Sequence, residues 1–303
     1  MRANSRVRVC VGKTSKNMEV ALRNAVCKCL SQVVCYASLH PNVDSFKLHK
    51  LHRIAQSTTT IQTLQSFDRP VVRWGMQFVS LCGEEEFYLL ALPVMIWTKW
   101  FEFGVELTIL VTMGFLLGNV LKDLFQLPRP LDDAKIWRIS LNTREFGFPS
   151  THAMNAVSIV MLMETSMVAS ALWIALMSTS RMFLGMHSGT DIRGGWVLGV
   201  VVYLLHKRCI FPGLHYVWYE FGLLPVLLGS LGGAFGVLLV CPQPPREQPT
   251  LSFGQNGLIL GVLVGIVVGK KLVIEYQLDR LTLEQDWVLG KCVFGFAVLG
   301  CVR

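Results

Sequence analysis

Apolar residues in this 303-residue chain are gathered into long runs, with polar residues confined to the stretches between them. The runs are about 17–25 residues long, the length an α-helix needs to cross the hydrocarbon of a bilayer. The first covers roughly Trp74 to Trp97 and is broken by Glu84-Glu85-Glu86, so its helix is expected to begin at those acids and be short. The second covers about Phe103 to Leu121. Thr151–Gly185 is apolar almost throughout but too long for one ordinary span, and a turn near Glu164-Thr165-Ser166 divides it into two short helices. Further spans are expected at Thr190–His206, Val217–Val240, Gly257–Val273 and Trp287–Val302. The pattern predicts an all-α, polytopic transmembrane helix bundle of about eight spans. No internal repeat is visible, and the Pro-rich loop Cys241–Pro249 is the one low-complexity stretch.

The polar segments between spans carry three short patterns. These are Lys122-x6-Arg129-Pro130, Pro149-Ser150-Thr151-His152, and Ser180-Arg181-x5-His187-x3-Asp191. Lys122 and Arg129 follow the second helix, Ser150 and His152 open the third, Ser180 to His187 end the fourth, and Asp191 begins the fifth. In an up-and-down bundle those four helix ends share one membrane face. Helix counting alone therefore brings the three patterns together.

Composition agrees with a membrane chain, at 52% hydrophobic and only 16% charged residues. The net charge of +8 is all in the first 70 residues, which hold 11 Lys and Arg against 3 Asp and Glu. Such a tail suits either attraction to anionic lipid headgroups or simple solvation. It holds no nucleic-acid-binding motif, so nucleic acid is not an expected partner. Val20–Leu39 has the pattern of an amphipathic surface helix, and the first residues lack the run of a signal peptide. The nine cysteines include no CxxC pair and read as small hydrophobes, with no disulfide framework. The domains expected are the tail at 1–70, a membrane core at 71–210 and added helices at 211–303. Oligomeric state has no signal here.

The residue types suit cleavage of a phosphate ester, where the obstacle is the anionic charge around phosphorus. Arg129 and Arg181 offer planar forks for phosphate oxygens, and Lys122 adds a compact charge. Ser150 supplies a hydroxyl, and backbone N–H groups at Thr151 and His152 would face an anion if a helix starts there. His187 and Asp191 stand four apart, so the carboxylate can fix the imidazole tautomer and leave the other nitrogen a nucleophile. His152 is then free to protonate the departing alkoxide. There is no carboxylate cluster or HExxH pair for a metal, and no cofactor is expected. Glu84–Glu86 read as acids at a helix N-terminus, His206 and His215 as interfacial histidines, and Ser150 lacks a GxSxG setting.

With those residues in place, the chain resembles the type 2 phosphatidic acid phosphatase superfamily, whose three-part signature it matches at every position. Within it, "KDLFQLPRP", "EFGFPSTHAMNAVSIVM" and "SRMFLGMHSGTDIRGG" are similar to the sphingosine-1-phosphate (long-chain base phosphate) phosphatases of the endoplasmic reticulum, as is "GEEEFYLLALPVMIW". The resemblance covers roughly residues 65–210. It implies a metal-independent phosphohistidine mechanism with His187 as nucleophile, Asp191 orienting it and His152 as general acid. Lys122, Arg129, Ser150, Thr151 and Arg181 would hold the phosphate.

Short-loop cations at Lys99, Lys207, Arg208, Lys270, Lys271 and Arg280 are expected opposite the motif face, which makes the site lumenal or extracytoplasmic by the positive-inside rule, whereas the basic tail, on the motif face, argues the other way. The residues leave open which membrane phosphate is taken: a long-chain base phosphate, phosphatidate, a polyprenyl diphosphate or glucose 6-phosphate. A lipid-binding or lipid-translocating protein without catalysis is the rival of another class.

Overall fold

The computed structural model describes residues 58–130, 145–242 and 250–278. Within them the chain is helical and contains no strand. In chain order the helices are α1 (Thr58–Gln65), α2 (Pro70–Leu81), α3 (Glu85–Ile96), α4 (Phe101–Phe125), α5 (Thr151–Leu162), α6 (Met167–Phe183) and α7 (Gly189–Leu205). A π-turn (His206–Ile210) follows, then α8 (Phe211–Glu220), α9 (Leu223–Val240) and α10 (Leu251–Glu275). Four helical stretches are long and apolar enough to cross a membrane: α4, the continuous run Gly189–Glu220, α9 and α10. The expected span at Trp287–Val302 and the basic tail before residue 58 lie outside the described residues.

Several expected boundaries move. The Trp74–Trp97 run is two helices, α2 and α3, of 12 residues each. Each is about 18 Å long, short of a 30 Å hydrocarbon core. The break falls at Gly83-Glu84, where two residues leave helical geometry before the acids of α3 begin. The helix after Thr190 does not stop at His206. It continues through the π-turn to Glu220, so the next helix starts at Leu223, not Val217. Lys207, Arg208, Lys270 and Lys271 accordingly sit inside helices and not in loops. Lys270 pairs with Glu102, and Lys271 donates to the Trp218 carbonyl at 3.1 Å. His206 is fully buried, 3.5 Å from Glu106 Oε1, and is therefore no interfacial histidine.

The centre of the bundle is α5, which packs against α4 on one side and α7 on the other. Both neighbours present a small-xxx-small pair to it, Gly114/Gly118 on α4 and Gly195/Gly199 on α7. A Cβ at Gly195 would lie 2.6 Å from the Ser150 carbonyl oxygen, and one at Gly199 2.5 Å from that of Met154. Backbones at that separation exclude any side chain, the close approach that lets helices associate where no hydrophobic gradient drives them. Leu110, Val111, Phe115, Met154, Ile159 and Val202 fill the space between.

Helix α10 runs antiparallel to α4 and is fastened to it at both ends. Its cap Thr250 donates to Asp123 at 2.8 Å near the end of α4, and Lys270 meets Glu102 near its start. Helix α2 lies across the end of α6, tucking Val72 and Met76 onto Phe183, Leu184 and Met186. Its other face leaves Val71, Trp74, Phe78 and Leu81 exposed.

Candidate active site

Each motif is delivered by an element end. Helix α4 terminates where Gln126 adopts a left-handed conformation (φ 52°), leaving Lys122 in the last turn and sending Arg129 back across the bundle end. Helix α5 begins at Thr151 under Ser150, whose Oγ accepts from Ala153 N. Helix α7 begins with a capping box between Ser188 and Asp191.

These ends line one cavity of about 620 Å³. Lys122, Arg129, Arg181, Thr151, His152 and His187 all contribute to its wall, as do Glu84, Glu85 and Glu145. Trp74, Phe78, Leu81 and Phe115 give it an apolar side. Lys122 is only 4% exposed and forms no ion pair among the described residues. A buried ammonium not paired at contact distance is costly, and it leaves an attractive place for an anion.

The arginines are held in place by protein groups. Arg129 donates to the Met186 carbonyl at 3.0 Å and pairs with Glu145. Arg181 donates to Ser80 Oγ and, at 3.1 Å, to Glu84 Oε1. The same Glu84 oxygen stands 3.2 Å from His152 Nε2.

His187 is buried with its Nδ1 2.8 Å from the carbonyl oxygen of Gly147. A carbonyl only accepts, so Nδ1 carries the proton and the lone pair is on Nε2. Asp191 Oδ2 is farther away, at 3.9 Å from Nδ1, and accepts from Ser188 N at 2.7 Å and Ser188 Oγ at 2.8 Å. The hydrogen bond expected from Asp191 is thus made by a backbone carbonyl. Gly147 reaches this place because its loop lies flush on the chain at Pro128 and Arg129, with Gly147 N donating to Leu127 O at 2.7 Å.

Electrostatics follow from this packing. Burial, then the positive charges of Arg129, Arg181 and Lys122, hold the His187 imidazole well below its ordinary value. Burial raises the Glu84 carboxyl, but His152 and Arg181 outweigh it and hold the group at about 2. Glu145 is likewise lowered, since Lys122, Arg129 and Arg181 overcome its burial.

Of the residues singled out from sequence, Lys122, Arg129, Thr151, His152, Arg181 and His187 meet at the cavity. Ser150 and Asp191 are fully buried behind its wall as helix-start residues. Sequence reasoning missed the Gly147 carbonyl, which no residue type advertises. It also treated Glu84 as only a helix-start acid, whereas its side chain touches two site residues. The acid triplet interrupting an apolar run was the available signal. Among the described residues no three His, Cys, Asp or Glu side chains converge as a metal site.

A cavity of buried cations beside two histidines is thus built on the ends of apolar helices, and residues 103–213, in which most of these cavity residues fall, match the model of the PAP2 superfamily. The chain is also similar to proteins named as sphingosine-1-phosphate, dihydrosphingosine 1-phosphate and lipid phosphate phosphatases. It is 30% identical over 240 residues to mouse sphingosine-1-phosphate phosphatase 1, covering 73% of this chain and 54% of that protein. It is 28% identical over 254 residues to a dihydrosphingosine 1-phosphate phosphatase of Schizosaccharomyces pombe, covering 75% and 59%. Lipid phosphate phosphatase delta of Arabidopsis thaliana is 28% identical over 205 residues, covering 60% and 48%. The chain thus spans between about half and three-fifths of the length of these relatives. No solved structure matches it.

Proposed function

We propose that this protein is a lipid phosphate phosphatase, a phosphoric monoester hydrolase that removes phosphate from sphingosine 1-phosphate and related long-chain base phosphates. The observation that carries the reading is the single cavity in which Lys122, Arg129, Arg181, His152 and His187 meet beside an apolar wall. The names of its relatives favour a sphingoid base phosphate over phosphatidate, a polyprenyl diphosphate or glucose 6-phosphate.

The phosphate is held by Lys122, Arg129 and Arg181 and by the start of α5 at Thr151, with Ser150 acting through its cap. His187 Nε2 attacks phosphorus as the ester P–O bond breaks, and the bond pair leaves on the alkoxide oxygen. Protonated His152 gives that oxygen its proton, releasing the alcohol. His152, now neutral, takes a proton from water as the water oxygen attacks the phosphohistidine. The P–N pair returns to Nε2 and inorganic phosphate departs. Asp191 contributes negative charge near Nδ1 and, with Gly147, holds the ring. Charge cancellation by the cradle and proton transfer are the two largest contributions.

The membrane arrangement proposed with this chemistry has about eight spans. They are the four long helical stretches, the shorter α3, α5 and α6, and residues 287–302. The core is residues 71–210, with a basic tail at 1–70 and added helices from 211. The membrane is that of the endoplasmic reticulum, with the site on the lumenal side.

The test is a panel of lipid phosphates offered to the purified protein in chelator, with acid-free trapping of labelled phosphoenzyme. Release of phosphate from a long-chain base phosphate, with label on His187, is expected. Lipid movement across vesicles without phosphate release or label would replace the reading with a translocator.

A further inference from the structure

The break between α2 and α3 at Gly83-Glu84 lies outside residues 103–213, which match the PAP2 model, yet Glu84 lines the cavity. A Cβ at Gly83 would stand 2.5 Å from His152 Cδ2, so the chain here is laid directly against the imidazole ring. One residue on, Glu84 ends the stretch between helices as the N-cap of α3, and its side chain makes no cap hydrogen bond. Its Oε1 instead stands 3.2 Å from His152 Nε2 and 3.1 Å from Arg181 Nη1. Neither ring nitrogen of His152 forms a hydrogen bond among the described residues, so this charge pair is its polar contact there.

We propose that Glu84 is a positioning residue for the reaction: it orients His152, supplies the negative charge that accompanies its protonated form, and ties its placement to that of Arg181. This rests on the phosphatase reading above. Without Glu84 the ring would have packing but no ion-pair partner to set its orientation, and an imidazolium beside Arg181 and Lys122 would lose the one carboxylate in contact with it. The carboxylate answers both needs with one oxygen. Because Arg181 shares that oxygen, one carboxylate sets the placement of both the acid and a phosphate-binding fork. Glu84 touches no reacting atom and takes no proton in the cycle.

A positioned acid matters in proportion to how poor the leaving group is. An alkoxide from a long-chain base needs the proton, whereas 4-nitrophenolate leaves without it. Purified Glu84→Gln protein is therefore compared with wild type on sphingosine 1-phosphate and on 4-nitrophenyl phosphate. A kcat loss of about 10²-fold is expected on the lipid, with KM within a few-fold, against a loss under about tenfold on the aryl ester. Glu84→Asp should recover part of the lipid activity, and it carries the test if the Gln variant does not fold. Equal losses on both substrates would make Glu84 a merely structural or phosphate-binding residue and overturn the proposal. So would an unchanged kcat with a lowered KM, which would mark Glu84 as a competing anion. A wild type that releases no phosphate from any lipid would instead sink the function and leave Glu84 without a reaction to serve.

Discussion

Helices α4 and α9 are both apolar enough to span a bilayer, yet they differ in nearly every contact. In α4, 72% of the most apolar window is buried inside the protein, against 6% in α9. Each carries several glycines. Those at 114 and 118 of α4 are closed over by α5, while those at 229, 232, 233 and 236 of α9 have open space where a Cβ would go. The buried helix also carries polar groups through its length, among them Thr108, Thr112, Asn119 and Lys122. Hydropathy registers both as spans. What separates them is how much protein surrounds each among the described residues: α4 is enclosed by its neighbours, whereas α9 leaves Gly229 and Gly233 facing an apolar cavity beside α10.

The sharpest way to break this comparison is at the cavity the buried helices build. His187→Ala should lower lipid phosphate hydrolysis on the order of 10⁴-fold or more while leaving the protein folded in membranes. Phosphate release measured beside a thermal unfolding curve checks both halves. Retained turnover in that variant would remove the site from α4, α5 and α7.

Arg181→Lys keeps the charge but loses the fork that holds Ser80 and Glu84 and, in the proposed mechanism, a phosphate. A fall in kcat/KM of about 10²-fold is expected, by the measure of a lost transition-state donor. The pH profile tests the burial of the same cavity. In the proposed mechanism neutral His187 is the reactive form, and its value lies well below the ordinary 6.5. Activity should therefore persist through pH 6.5 and fall only at lower pH, as His187 takes up its proton. An acid limb of kcat/KM at 6.5 or higher would mean an imidazole freely solvated in the free enzyme.

Glycine substitutions sharpen the comparison directly. Gly195→Ala places a methyl 2.6 Å from the Ser150 carbonyl, a backbone atom that cannot yield. A loss of about 1–3 kcal/mol is expected in detergent unfolding. Gly233→Ala meets nothing within 4 Å and should be neutral or stabilising by up to about 1 kcal/mol. The smallest effect belongs to the exposed pair Lys207–Glu106 at 3.4 Å. Lys207→Gln should shift stability by less than about 1 kcal/mol.

Much of the site could be read from the chain because its parts are chemically explicit. Lys122, Arg129, His152, Arg181 and His187 are costly residues beside apolar helices, and counting helices suffices to put them on one face. The long helices were visible because an apolar run of their length can match a bilayer's thickness. Boundaries were less legible. Lys207 and Arg208 look like a loop, but their helix carries on through a π-turn, since long side chains can leave a helix surface without ending it. Lys270 and Lys271 look like the end of a span, but Glu102 and the Trp218 carbonyl receive them.

By itself, then, the sequence determined an all-helical membrane chain and the inventory of its anion site, because periodicity, run length and residue type are local properties. Tertiary structure decided who touches whom. It gave the Nδ1 of His187 to the Gly147 carbonyl and drew Asp191 back into a helix cap. It carried Glu84 from an expected helix-start acid to a contact with both His152 and Arg181. Those outcomes depend on helix ends meeting within a few ångströms across long separations in the chain. No local pattern encodes such a meeting, and small residues such as Gly83 and Gly195 allow it only by the side chains they lack.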